Sequence, residues 1–208
     1  MRFLKNNSYD IVRLFINQMG ITIFSLVLYT ALDVFEDKTT AAGFRIGLSV
    51  FATVFYLVLL YTAGWEYGAK DRLRVDAGKP VDGVVPNRMR LKGSLMAAIA
   101  NIPNFFVALC AVVCMVVYMN GGAEGFYSAF AVFNLILRFI TAMYLGIVQG
   151  IFSFLPEASN ASWLWQSVGF GIMPIFAICA TQLGYSLGYR EFRILSLFKG
   201  GMSGDQKK

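Results

Sequence analysis

FYSAFAVFNLILRFITAMYLGIVQGIFSFL, residues 126–155, is an apolar run of 30 residues with one charge, Arg138, near its middle. As one straight helix it would be ~45 Å long, against a hydrocarbon core of ~30 Å. Two readings compete for it. Local chemistry favours a single tilted helix. No Gly, Pro or Asn pair marks a turn around Arg138, and Tyr127, Asn134, Arg138, Thr141 and Gln149 fall near one helical face. Charge placement in the rest of the chain favours a segment that turns back.

Four clearer spans frame this run. They are Leu14–Leu32, Ile46–Tyr67, Gly93–Tyr118 and Trp163–Tyr189. The first is too long for the apolar region of a signal peptide and reads as a retained span. Residues 33–45 form a polar connection. Residues 69–92 form the longest hydrophilic stretch, with seven basic residues broken by Gly78, Pro80, Gly83 and Pro86. Asn120-Gly121-Gly122 marks a tight turn. Residues 1–198 therefore read as one transmembrane helical domain, and the polar tail 199–208 is expected to be disordered.

If 126–155 returns to the side it entered from, fifteen Lys and Arg flank the spans on one side. Lys38 and Arg45 alone lie on the other. A single crossing would divide them almost evenly. The positive-inside rule favours the first arrangement, with both termini and the 69–92 loop cytoplasmic. The aromatic residues agree. Tyr9, Trp65, Tyr67, Tyr185 and Tyr189 would form an inner belt, and Tyr29, Tyr118, Tyr127, Trp163 and Trp165 an outer one. The expected fold is thus an all-α polytopic membrane protein. It has four clear transmembrane helices plus a re-entrant hairpin or pair of short helices at 126–155, with up to six crossings.

Composition supports this class. The 208 residues are 57% apolar and 14% charged, where soluble domains are near 45–50% and about 25%. At ~20 residues per span plus loops the length holds four to six spans. The net charge is +6, but the basic residues flank apolar spans, so membrane orientation explains them and no nucleic-acid partner is expected. Cys110, Cys114 and Cys179 lie in apolar runs and read as small buried hydrophobes. The chain has no His. No metal site, cofactor or catalytic motif is expected, and the chain does not read as an enzyme.

Candidate sites follow from polar residues in apolar surroundings. Arg138 costs at least ~2.5–3.5 kcal/mol on insertion scales unless it finds water or a partner. Glu66, Asn17, Gln18, Asn101 and Asn104 are the candidate partners, and Asn134 lies one turn before it. Pro103, in Asn101-Ile-Pro-Asn104, should kink the third span and free carbonyls that a polar pocket could use. Pro174 marks a second expected kink. Gly64-xxx-Gly68 and Gly184-xxx-Gly188 permit close helix packing.

The leading functional expectation is a membrane component of a small-solute transport system, with its polar site in the cytoplasmic half. The alternative is a non-catalytic structural or interaction subunit of a membrane assembly. Besides the lipid bilayer, a membrane or cytosolic partner could then dock on the basic loop 69–92.

Overall fold

The computed structural model describes residues 2–32, 38–78, 91–153, 155–156 and 159–190. Seven α-helices carry them: α1 (Arg2–Leu32), α2 (Lys38–Asp76), α3 (Lys92–Ala100), α4 (Ile102–Met119), α5 (Glu124–Ile140), α6 (Leu145–Ile151) and α7 (Asn160–Tyr189). No strand is present among the described residues. Four helical segments are long and apolar enough to cross a membrane, namely Phe3–Ala31, Ala42–Asp76, Ile102–Met119 and Asn160–Tyr189.

The outer face of the bundle is apolar, and polar side chains lie buried among an apolar core. Gln18, Thr22, Ser25, Ser49, Asn104, Thr141, Ser167 and Thr181 are buried. Ile23, Val27, Phe51, Val58, Phe106, Leu109, Ile175, Phe176 and Leu183 point outward. In lipid the outer face gains nothing by being polar, whereas buried polar side chains hold helices together.

The helices run past the apolar limits that the sequence marks. α1 begins at Arg2 rather than Leu14. Phe3, Asn7, Ile11, Leu14 and Gln18 continue one inward stripe, and the Asn7 amide donates to the Phe3 carbonyl at 2.9 Å. α2 begins at Lys38, inside the expected 33–45 connection, and ends at Asp76. The hydrophilic stretch 69–92 is therefore helical at both edges, and residues 79–90 lie outside the described residues. So does the tail 199–208. At the Asn120-Gly121-Gly122 turn, Gly121 adopts φ +89°, a conformation glycine accepts without steric cost.

Two packing relations fix which helix ends lie together. α2 and α7 run parallel with backbones nearly touching. A Cβ added to Gly64 or Gly68 would strike the Thr181 or Tyr185 carbonyl, and one added to Gly184 or Gly188 would strike the Tyr61 or Trp65 carbonyl. α4 and α7 run antiparallel, since Met115 and Ala111 cluster with Trp163 and Leu164 while Ala108 faces Gly171. α1 and α2 are antiparallel too, with Arg13 bound to Glu66 and Tyr29 to Ser49.

The start of α1, end of α2, start of α3 and end of α7 thus share one end of the bundle, the basal end. The end of α1, start of α2, end of α4 and start of α7 share the other, the distal end. The chain leaves α4 and joins α7 at the same distal end, so residues 124–151 make no net crossing.

This re-entrant segment is an elbow. α5 and the turn-plus-helix Ala142–Ile151 meet at 85°. The break falls at Thr141, and polar side chains of α1 and α2 hold its backbone. The Ile140 carbonyl accepts from Gln18 Nε2 and Thr22 Oγ1, both at 3.2 Å. The Met143 carbonyl accepts from Ser49 Oγ at 3.0 Å, and the Gly146 amide donates to the same Ser49 oxygen at 2.7 Å. Tyr29 hydrogen-bonds Ser49 in turn. A non-helical backbone at membrane depth persists only when neighbouring protein or water satisfies it.

Candidate functional site

The elbow leaves a cleft of about 560 Å³ at the distal end. Arg45 and Ile46 of α2 form one wall, Ser162, Trp163 and Gln166 of α7 another, and Arg138 closes it from α5. Gly146, Gln149 and Gly150 of α6 complete it. Glycine is required at 146, because a Cβ there would strike the Arg45 carbonyl. Without that close approach α6 would stand off from α2 and the cleft would lose its floor.

Arg138 is half-buried and held on two sides. Its Nη2 donates to Gln166 Oε1 at 2.8 Å, and its guanidinium carbon lies 4.6 Å from the centroid of the Trp163 ring. Stacking on an indole stabilises a partly desolvated cation by ~1–2 kcal/mol. Gln166 is oriented by donating from Nε2 to Ser162 Oγ at 3.1 Å. Ser159 caps α7 by accepting from the Ser162 amide at 3.1 Å. One helical turn before Arg138, Asn134 Nδ2 donates to Ser167 Oγ at 3.0 Å, pinning α5 to α7. The Arg138 Nε donor is buried without a hydrogen-bond partner. The cleft therefore presents guanidinium, amide and hydroxyl groups, and no carboxylate lines it among the described residues.

The polar residues singled out in the sequence divide into separate places. Arg138 and Asn134 belong to the distal elbow. Asn101 and Asn104 lie at the break between α3 and α4, where Asn101 Nδ2 donates to the Ala97 carbonyl at 2.9 Å and Asn104 Nδ2 to Asn101 Oδ1 at 2.8 Å. Pro103 falls in the first turn of α4, where its missing donor costs little. Glu66 pairs with Arg13 at 3.1 Å near the basal end, with both side chains more than a third exposed. Asn17 is half-buried on α1. The cleft that reaches Arg138 is lined by none of Asn101, Asn104, Glu66 or Asn17. Gly64, Gly68, Gly184 and Gly188 lie along the α2–α7 seam, within one chain.

Sequence reasoning missed two groups. The first is the Ser162–Gln166 pair, spaced i, i+4 at the start of α7. That spacing in an apolar span was the available signal. The second is a buried basal cluster. Lys92 Nζ meets Asp71 Oδ2 at 2.8 Å with both side chains under 5% exposed, and the Tyr185 hydroxyl donates to the same oxygen at 2.9 Å. It ties the end of α2 to the start of α3 and the end of α7. Both charges resemble ordinary loop charges in the sequence, because only the extension of α2 to Asp76 brings Asp71 inside.

Comparison of the chain with protein-family models, curated proteins and solved structures gave no match.

Proposed function

We propose that this multi-pass membrane protein binds a small polar solute in the distal cleft, as a component of a transport system. The observation that carries the reading is the cleft of about 560 Å³ in contact with Arg138. That volume lies within the range of small-molecule sites. A half-buried, doubly supported arginine beside open volume is the expected form of an intramembrane site. A solidly packed elbow would instead favour a purely structural subunit. The proposed role is binding and passage rather than catalysis.

The proposed setting is the cell membrane, with the basal end and both termini cytoplasmic, because fifteen of the eighteen Lys and Arg flank that end. The cleft then opens in the outer half of the membrane. The basic stretch 69–92 is proposed as the docking point for a cytosolic partner or anionic lipid. It is the remaining support for an assembly subunit, since the glycine pairs are taken up within the chain.

Equilibrium binding to the full chain in phosphatidylcholine nanodiscs tests the reading. The probes are radiolabelled glucose, glycine, acetate, inorganic phosphate and choline. Ser153→Trp fills the cleft from an exposed position and should abolish saturable binding of whichever probe binds, while helicity and melting temperature stay the same. Absence of saturable binding by all five, or equal binding by Ser153→Trp, would contradict a solute site here.

A further inference from the structure

We propose that the distal cleft is an oxyanion site, whose occupant carries a carboxylate or phosphate group that docks on Arg138. This deepens the binding-cleft reading and rests on it. Two features converge on an anion. Arg138 offers five N–H donors, of which Nη2 is engaged by Gln166 while the buried Nε has no partner. A half-buried guanidinium on the cleft wall matches the paired oxygens of carboxylate or phosphate better than any neutral group. No described residue that lines the cleft is acidic, so the lining offers the Arg138 charge no carboxylate. Ser162 and Gln166 of α7 add a hydroxyl and an amide to the same wall.

Trp163 makes the site self-reporting. The indole lies against Arg138, so an anion arriving at the guanidinium changes the field on the ring and shifts its emission.

The same group could reach the cleft as a free solute or as a lipid headgroup, and the experiment separates them. The full chain carrying W65F and W165F, with Trp163 as its one tryptophan, is placed in phosphatidylcholine or phosphatidylglycerol nanodiscs. Each is titrated with inorganic phosphate, acetate, glycerol and choline. Two variants accompany it. Arg138→Gln removes the guanidinium. Gln149→Glu adds a carboxylate to the cleft wall at nearly constant size, and keeps the test valid if Arg138→Gln misfolds.

A saturable emission shift with phosphate or acetate in phosphatidylcholine discs, weakened at least about tenfold by either variant, identifies a free oxyanion. A shift between the two lipids, abolished by either variant and unaffected by added phosphate, identifies a headgroup. Either result supports the oxyanion site. Equal shifts with glycerol, choline and phosphate, unchanged in Gln149→Glu, would overturn the anion assignment and leave the cleft as a general solute site. No shift with any probe in either lipid, together with no binding of the five labelled solutes, would overturn both readings.

Discussion

The apolar sequence is interrupted at Asn101–Pro103 and at Thr141, and the two interruptions are held in opposite ways. At the first, the groups that satisfy the break are neighbours in sequence. Asn101 caps the Ala97 carbonyl, Asn104 bonds Asn101, and Pro103 occupies a helix position where its missing donor costs little. At the second, the stabilising groups lie about 90 to 120 residues away in the sequence. Gln18 and Thr22 of α1 and Ser49 of α2 bind the Ile140 and Met143 carbonyls and the Gly146 amide. The first break announces itself in the local sequence and produces no part of the Arg138 cleft. The second is locally silent and builds the cleft. A chain can thus store the instruction for a turn on the helices that receive it.

If that contrast is correct, removing remote polar groups should damage the elbow more than removing local ones damages the proline break. The largest effect is expected from Ser49→Val. It removes the donor to the Met143 carbonyl and the acceptor of the Gly146 amide, leaving longer contacts to Thr53 and Tyr29. The expected loss is ~2–3 kcal/mol, read as a lower melting temperature of the purified protein in detergent.

Gln18→Leu and Thr22→Val come next, and sharpen the comparison through their coupling. Both side chains donate to the Ile140 carbonyl, so each single change leaves it satisfied and should cost ~1 kcal/mol. The double change orphans it, and should cost about 1 kcal/mol more than the sum. Strict additivity in a double-mutant cycle would argue that the two donors do not share this carbonyl.

Asn104→Ala is expected to cost no more than ~1 kcal/mol. It deletes the donor to Asn101, and with it an Asn104 carbonyl oxygen that is buried without a partner. Solute binding in the distal cleft should be unchanged, because the cleft is built without this residue. A loss of binding with stability preserved would return the site to the proline break. Pro103→Ala should have the smallest effect, a change of about 0.5 kcal/mol or less, since the Asn101 cap and the surrounding packing retain the break. A larger loss would show that proline, not the cap, maintains it.

The helical membrane class, the four spans and the broken 126–155 run were legible because apolar length and the placement of Lys and Arg report directly on a bilayer. The position of the break was not. No Gly, Pro or Asn pair marks a turn around Arg138, and the residues that hold the break are Gln18, Thr22 and Ser49 on other helices. Asn134 and Arg138 were legible as polar residues in an apolar run, but the partner of Arg138 was not. The sequence offers Glu66 as the formal counter-charge, while the fold places Glu66 beside Arg13 near the basal end and supplies a neutral amide, Gln166, at the distal one. Which polar residues share a depth depends on helix direction and tilt, and an 85° elbow changes both within one turn.

The central claim is that residues 126–155 enter and leave by the same face, which makes the elbow and its cleft necessary. Single cysteines at Asn120, Ser159 and Ala77, in a chain with Cys110, Cys114 and Cys179 replaced by alanine, test it in oriented membrane vesicles with a membrane-impermeant thiol reagent. The account predicts that the Asn120 and Ser159 positions react from one side and the Ala77 position from the other. Reaction of the Asn120 and Ser159 positions from opposite sides would make 126–155 a crossing helix and contradict the account.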